Sequence, residues 1–528
     1  GGSPRCDAGT RFGRCAAGNG GSGTESMSMP AEHLPSIPTL AELLQGYADA
    51  PPVPIHGIAS DSRQLAQGFL FLACQGMNGH GLDYLADAKS AGVSAVAYDA
   101  STSGTPKDIG VPMIAIDKLG DKLGEIANRF YGRPSETLGV VGVTGTNGKT
   151  TVAWLVAQCA RLLGERCGYL GTLGYGVDEI EDSRGMTTPG AVELHGRLAK
   201  FAEQGASFAA IEVSSHALSQ GRVDGVRFEA ALFTNLTRDH LDYHRDMRDY
   251  FETKARLFLE SDTRNRIVNL DSDFGTQLAA RCGQEVVTVS TKFDRVANGR
   301  PYVFVRSVVA HGQGSEVGFV SSWGEGRFSL PLPGDFNVAN AALVLALMLQ
   351  QGVALDAACD VLSKVHAPPG RMERVAAKGA TVYVDYAHTP TALEAALRAL
   401  RTHCRGKLWC VFGCGGDRDA GKRSLMAKAA ERLADCVVIT SDNPRSEEPG
   451  QIIHELMSGL ARPERATVIE DRAAAIAWAI GQAADADIVL IAGKGHETCQ
   501  QVGQELRPFS DYAVAETALL ARAKGGAQ

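Results

Sequence analysis

The chain contains no Cys-x-x-Cys pair and no repeated Cys/His spacing of the kind a structural zinc site needs, although it holds twelve cysteines. This pattern predicts reduced thiols in a cytosolic compartment. Long apolar runs are also missing: stretches such as AALVLALML at Ala341 to Leu349 fall well short of the roughly 20 residues that span a bilayer. There is no basic excess, since the net charge is -8 and Lys and Arg are scattered, which gives no support to a general nucleic-acid surface while leaving room for a local anion pocket. Internal repeats at solenoid spacing are absent. The first 26 residues, rich in Gly, Arg and Ser, lack the apolar centre of a signal sequence and read as an expression tag or linker, with the natural chain expected to begin near Met27 or Met29.

What is present is an ordinary globular mixture, 44% hydrophobic and 21% charged over 528 residues, enough for two to four domains. TLAELLQGY reads as a short amphipathic helix, and GFLFLAC, AGVSAVAYD and VPMIAI read as buried strands of a small α/β domain over 27–118. A helix at DKLGEIANRFYG leads into strand candidates TLGVVGVTG, FAAIEVS, AALFTNL, RIVNL and EVVTVS, then short antiparallel strands up to GRFSLPLPG and a long helix from about Asn337. These predict a central α/β domain over 119–366 with a largely parallel sheet. The prolines and glycine of APPGRMERV suggest a hinge. Beyond it TVYVDYA, LWCVFGC, CVVITSD, ATVIE and DIVLIAG, each followed by a helical stretch, predict a Rossmann-like domain over 367–528.

The chemistry begins at GVTGTNGKT, Gly142 to Thr150, placed between a strand and a helix. Glycines at 142, 145 and 148 allow tight turns with backbone N–H groups turned to phosphate. Lys149 adds positive charge, the following helix adds its amino-terminal dipole, and the Thr150 hydroxyl is suited to Mg2+. The spacing departs from GxxxxGK[ST] because position 143 is valine and the first glycine lies one residue earlier. Strand ends supply Glu212 in IEVSSHAL and Asp239, His240 and Asp242 in TRDHLDYH, which can organise metal and polyphosphate. Taken singly, His240 reads as a structural histidine; its acidic neighbours beside a phosphate loop favour the metal role. In RDYFETKARLFLE, helical spacing puts Lys254 on the apolar stripe with Tyr250, Phe251, Leu257 and Phe258. It is either a snorkelling lysine paired with an acid or a modified, catalytic one.

The ordered segments GVTGTNGKTT, TTPG, EVSSHAL, TRDHLDYH with its downstream lysine, LPGDFNVANAA, PPGRMER, VDYAHTP, VFGCGGDRDAGKR, DNPRSEEP and AGKGHE cover nearly everything after the first 26 residues. On them the chain resembles the Mur ligase family, and within it the members that add meso-2,6-diaminopimelate. The resemblance implies a three-domain α/β architecture: a uridine-nucleotide-binding N-terminal domain, a central P-loop ATPase domain and a Rossmann-like C-terminal domain that binds the amino acid. It implies ATP as cosubstrate and Mg2+, with Gly145, Thr146, Asn147, Gly148, Lys149, Thr150 and Thr151 on the phosphates and Asn340, Arg371 and Asp385 on the rest of the nucleotide. Lys149, Glu212, His240 and Lys254 would form the catalytic centre. Metal ligands would be Thr150, Glu212, His240 and Lys254, the last as N6-carboxylysine, a carbamate that turns a cation into an anion.

For the acceptor UDP-N-acetylmuramoyl-L-alanyl-D-glutamate, the matching positions are Ser62, Arg63, His80, Thr187, Thr188, Ser214, Gln220 and Arg222. Asn78 stands where the family usually has aspartate before Gly-His. For meso-2,6-diaminopimelate they are Arg418, Asp442, Asn443, Arg445, Gly493 and Glu497; an arginine can pair with the distal carboxylate and Glu497 can receive the distal ammonium. Lys422 and Arg423 add positive charge, and domain closure would complete the site. The implied reaction is amide ligation through an acyl phosphate in cytoplasmic peptidoglycan synthesis, by a monomer, without nucleic acid or membrane insertion. Rival readings are a folylpolyglutamate synthase, a lysine-adding Mur ligase, and an ATP-driven switch whose output is closure.

Overall fold

The computed structural model describes residues 37–525 apart from 77–78, 102–105, 182–185, 293–298, 313 and 377–378. The expected tag and Asn78 lie outside the described residues. Two compact units result: one holds the chain up to Lys149 with Ala160–Val268 and Ser272–Val287, the other Thr150–Cys159, Asn269–Asp271 and Thr288–Gln528.

The first unit contains two sheets. In the smaller, Gly57–Ala59, Phe69–Ala73, Ala95–Asp99 and Met113–Ile116 lie side by side in chain order, all parallel. Alternation explains its two-sided burial: Leu70 and Leu72 pack with Leu40, Ile58 and Ile126, while Phe71 and Ala73 pack with Ala88 and Val96 on the opposite face. The helix expected over TLAELLQGY is only Leu40–Leu43, begun by a capping box between Thr39 and Glu42. It stops early because Gly46, at φ 83, turns the chain into a proline-rich connection.

In the larger sheet the order runs Thr263–Asn269, Phe228–Phe233, Gly139–Thr144, Phe208–Glu212, Cys167–Gly171, and these neighbours are parallel. Gly174–Gly176 adds an antiparallel edge. Gly139–Thr144 is buried along its whole length, which fits a central strand covered on both faces. Later strands are laid down on both its sides, so the crevice past its carboxyl end is a topological switch point, where open α/β sheets bind ligands.

In the second unit, the strand Val287–Ser290 from Thr288 onward runs parallel to Tyr302–His311, which continues into the antiparallel strands Gly314–Ser321 and Gly324–Leu330. The helix Asp335–Gln350 is apolar nearly all round and buried accordingly. A six-stranded sheet follows in the order Glu373–Arg374, Thr381–Asp385, Ile488–Ala492, Leu408–Phe412, Cys436–Ile439, Thr467–Val468, parallel except at the first strand. Leu490, Cys410 and Phe412 fill one face while Val489, Ile491 and Val411 fill the other. Sequence reading missed the three-residue strand Gly57–Ala59, the pair Cys167–Gly171 and Gly174–Gly176, and the polar hairpin Cys499–Val502 with Glu505–Pro508.

Candidate active site

The phosphate loop leaves the central strand Gly139–Thr144 and enters the helix Lys149–Leu162 directly. Gly145 has φ 147 and Gly148 φ 87, and a Cβ at Gly145 would lie 1.9 Å from Thr234 Oγ1. The loop is braced by the segment that follows Phe228–Phe233. The Thr146 N–H donates to the Asn235 carbonyl at 2.9 Å, the Asn147 N–H to Asn235 Oδ1 at 3.1 Å, and Thr234 Oγ1 to the Asn147 carbonyl at 2.6 Å. The Thr237 N–H donates to Thr146 Oγ1 at 3.0 Å. Thr234, Asn235 and Thr237 were not predicted as site residues, and the only signal for them is the polar run that ends an apolar strand in ALFTNLT. Lys149 Nζ donates to the Gly145 and Thr146 carbonyls at 3.0 and 2.9 Å, and a phosphate oxygen can take the place of these acceptors. Thr150 and Thr151 are buried in the first helical turn.

Glu212 ends the neighbouring strand and is 1% exposed. Its Oε1 accepts from the Tyr169 hydroxyl at 2.7 Å and the Thr172 N–H at 2.8 Å, which fixes the plane of the carboxylate. His240 has a left-handed backbone at φ 54, 3.6 Å from Asp239, with its ring edge-on to His216. Burial lowers its pKa, Lys149 and Lys254 add to that effect, and Asp239 opposes it. Lys254 is 1% exposed; among the described residues its Nζ reaches Thr144 Oγ1 at 3.4 Å as its one hydrogen-bond partner and lies 4.8 Å over the Tyr250 ring. Burial, then Lys149, hold its pKa well below the ordinary lysine range. The amine is enclosed, with Lys149 acting on it as a second cation and Asp239 opposing.

Among the described residues no three His, Cys, Asp or Glu side chains converge as a metal-binding group. Magnesium usually keeps waters and takes one or two carboxylates together with substrate phosphates, so Glu212 and His240 beside a phosphate loop are a compatible donor set. The amine of Lys254 fits poorly as an ammonium there and well as a precursor of an anionic ligand.

The candidate acceptor residues after Gly171 form one network. Thr172 Oγ1 shares a hydrogen bond with Thr187 Oγ1 at 3.2 Å and also donates to Glu212 Oε2 at 3.2 Å. Thr188 Oγ1 donates to the Glu212 carbonyl at 2.7 Å, and the Ser214 N–H donates to Thr188 Oγ1 at 3.1 Å. Arg222 donates to the Thr188 carbonyl at 2.8 Å and to Gln220 Oε1 at 2.9 Å. A polar network therefore runs from Glu212 and Thr172 to Arg222. Ser62, Arg63 and His80 lie on the smaller sheet, after the carboxyl ends of two adjacent parallel strands. Arg63 pairs with Asp61 at 2.6 Å, and His80 Nδ1 accepts from the Leu82 N–H at 3.0 Å.

In the second unit, Asp385, Gly493 and Asp442 follow the carboxyl ends of parallel strands of the six-stranded sheet. Asp385 accepts from the Met372 and Ala387 N–H groups at 2.7 and 2.8 Å; burial raises its pKa, with Arg371 opposing. Arg371 stacks 4.3 Å over the Tyr386 ring, a platform that sequence reading did not identify. Asn340 donates to Asn337 Oδ1 at 3.3 Å within its helix. Gly493, at φ 117, donates its N–H to the Asp385 carbonyl at 3.1 Å, and a Cβ there would meet Asp442 Oδ2 at 2.5 Å. Asn443 Nδ2 donates to Glu497 Oε2 at 2.7 Å. Arg445, left-handed at φ 53, donates to the Gly416 carbonyl at 2.7 Å, and Arg418 is exposed nearby in sequence. Arg423 departs from its expected role: it is buried between Glu447 and Glu455 at 2.9 and 2.8 Å and is a structural pin. The phosphate loop through Lys149 and the residues Asn340, Arg371 and Asp385 belong to different compact units.

Segment 143–348 matches the family description "Mur ligase middle domain", 370–495 matches "Mur ligase, glutamate ligase domain", and 54–131 matches "Mur ligase family, catalytic domain". The chain belongs to the Mur ligase family and has its three-domain architecture. It is similar to a protein of Alkalilimnicola ehrlichii named UDP-N-acetylmuramoyl-L-alanyl-D-glutamate--2,6-diaminopimelate ligase, 45% identical over 91% of this chain and 98% of that one. A protein of the same name from Pseudomonas aeruginosa is 45% identical over 88% of this chain and 95% of its own length. A solved structure with that ligase's name superposes with a TM-score of 0.70 at 34% identity, covering 92% of this chain and 99% of that one.

Proposed function

We propose that this protein is the ligase that joins meso-2,6-diaminopimelate to the D-Glu γ-carboxylate of UDP-N-acetylmuramoyl-L-alanyl-D-glutamate with hydrolysis of ATP to ADP and phosphate. The observation that carries the reading is the amino-acid site: Arg445, Asn443 and Glu497 supply one cationic, one amide and one anionic group, as the zwitterionic distal end of diaminopimelate requires. L-Lysine lacks the distal carboxylate, and binding it would leave Arg445 without its partner.

A γ-carboxylate oxygen attacks the γ-phosphorus of ATP, the bond to the β–γ bridging oxygen breaks, and ADP leaves with the electron pair. Lys149, the loop N–H groups and the helix amino terminus stabilise the charge on the transferred group. The resulting acyl phosphate is attacked at its carbonyl carbon by an amine of diaminopimelate; the tetrahedral adduct expels phosphate, the amine proton passes to a base, and an amide remains. Thr150, Glu212, His240 and the carbamate of Lys254 would hold Mg2+, which supplies charge neutralisation at the phosphates. The depressed pKa of Lys254 supports carbamylation, since the neutral amine is the form that adds CO2. Thr187, Thr188, Ser214, Gln220 and Arg222 hold the muramoyl dipeptide and Ser62, Arg63 and His80 the uridine nucleotide. Of domains divided as 27–118, 119–366 and 367–528, the second brings Asn340 and the third Arg371 and Asp385 to the nucleotide. A nucleotide-linked substrate supports work in the cytoplasm, in peptidoglycan precursor synthesis, and we infer a monomer.

The deciding experiment mixes protein, ATP, Mg2+ and the UDP-linked dipeptide with either meso-diaminopimelate or L-lysine, and records phosphate release and product mass. Product with diaminopimelate alone is expected. Lysine product would move the specificity to the lysine-adding branch, and ATP turnover without acceptor would refute ligation.

A further inference from the structure

Lys494 lies in the AGKGHE loop, one residue beyond Gly493, with its side chain 0% exposed. Its ammonium carries three hydrogens and meets three acceptors: Asn443 Oδ1 at 2.9 Å, Glu497 Oε2 at 2.8 Å and the Cys499 carbonyl at 2.8 Å. No donor remains for a substrate, so any functional role must pass through these partners.

Both side-chain partners are amino-acid-site residues, and the contacts determine how each faces. Asn443 Oδ1 accepts from Lys494 Nζ and from the Gln501 N–H at 2.9 Å, which fixes the amide flip and sends Nδ2 to Glu497. Glu497 Oε2 is then occupied by Lys494 and by Asn443, leaving Oε1 as the oxygen without a hydrogen bond among the described residues. The Cys499 contact ties the same ammonium to the hairpin Cys499–Val502 with Glu505–Pro508, whose Gln501 carbonyl accepts the Arg445 N–H at 3.2 Å. One buried cation thus sets the amide of Asn443, the free oxygen of Glu497 and the hairpin beneath Arg445.

We propose that Lys494 is a positioning residue for diaminopimelate, orienting Asn443 and Glu497 so that Glu497 Oε1 alone is presented to the substrate's distal ammonium. This rests on the ligase reading above. A purely structural lysine would affect all substrates alike, whereas a positioning lysine acts on one.

The test compares wild type with Lys494→Met, measuring KM for diaminopimelate, ATP and the UDP-linked dipeptide, and the preference for diaminopimelate over L-lysine. The expected result is a rise of about tenfold or more in the diaminopimelate KM and a fall of about tenfold in the preference, with the other two KM values within about threefold. A diaminopimelate KM within about twofold of wild type, or three KM values rising together, would overturn the proposal. Should Lys494→Met not fold, Lys494→Gln, which keeps two N–H donors without charge, is held to the same readouts, and failure of both to fold would make the residue structural. Wild type that forms no diaminopimelate product would sink the ligase reading instead, and the two failures are therefore distinct.

Discussion

Replacing Gly145 by alanine tests the phosphate loop with a single methyl group. Its φ of 147 is a conformation that side-chain-bearing residues rarely adopt, which costs about 1–3 kcal/mol. The added carbon would also stand 1.9 Å from Thr234 Oγ1 and 2.9 Å from the Asn235 carbonyl. Thr234 can retreat only by giving up its 2.6 Å bond to the Asn147 carbonyl, a further loss of about 1 kcal/mol. In the free variant the loop relaxes away from this geometry, and nucleotide must drive it back. The total of about 2–4 kcal/mol corresponds to ADP binding weakened by about 30- to 1,000-fold. Isothermal titration with ADP and Mg2+ reads it directly. Adding Thr234→Ala removes the nearest clash but also the Oγ1 bond to the Asn147 carbonyl, so the double variant should bind ADP within about twofold of Gly145→Ala, the backbone term and the Asn235 contact remaining. ADP affinity within about twofold of wild type in Gly145→Ala would show that this loop conformation is not the one that binds phosphate.

Three further outcomes follow from buried charge. Intact-mass measurement of native protein in bicarbonate buffer should show one added CO2 that is absent in Lys254→Ala, which should be inactive; full activity with an unmodified lysine would refute the carbamate. Arg472 and Asp511, both 0% exposed, are joined by two 2.7 Å contacts, so Arg472→Met should cost about 3–5 kcal/mol in urea unfolding, and Arg472→Met with Asp511→Leu should recover most of it. His195 is buried with its pKa lowered by desolvation, so the unfolded chain binds the proton more readily; its contribution is complete above about pH 6.5 and is lost as pH falls through that value. His195→Gln should therefore flatten the dependence of the urea midpoint between about pH 7 and 5, and an unchanged slope would refute the assignment.

Where an apolar run is buried along its whole length, the sequence was legible. FAAIEVS and DIVLIAG are apolar on both faces because helices cover both, and glycine turns with charged residues mark their ends. The phosphate loop was readable because glycine, lysine and threonine must follow one another there. Partners brought in by the sheet were not: Thr234 and Asn235 reach the loop across 87 or more residues, a distance no periodicity encodes. Lys494 was not singled out, since nothing local announces that a lysine flanked by glycines is enclosed. The hairpin at Cys499 escaped notice because strands made of Cys, Gln and Glu carry no apolar alternation.

The strand order of the six-stranded sheet bears on how the protein is made. Ile488–Ala492 is the last of the sheet's strands in the chain, yet it sits between Thr381–Asp385 and Leu408–Phe412. During synthesis these two strands emerge long before the one that separates them, and each waits with an unpaired inner edge or pairs wrongly. A ribosome that stalls before residue 488 releases a chain with a gap at the centre of the sheet, without Gly493 and Lys494, and with sticky edges open to other chains. Quality control would meet such fragments as aggregation hazards, while a nascent chain that has cleared the last strand closes both edges and gains the proposed amino-acid site in one event.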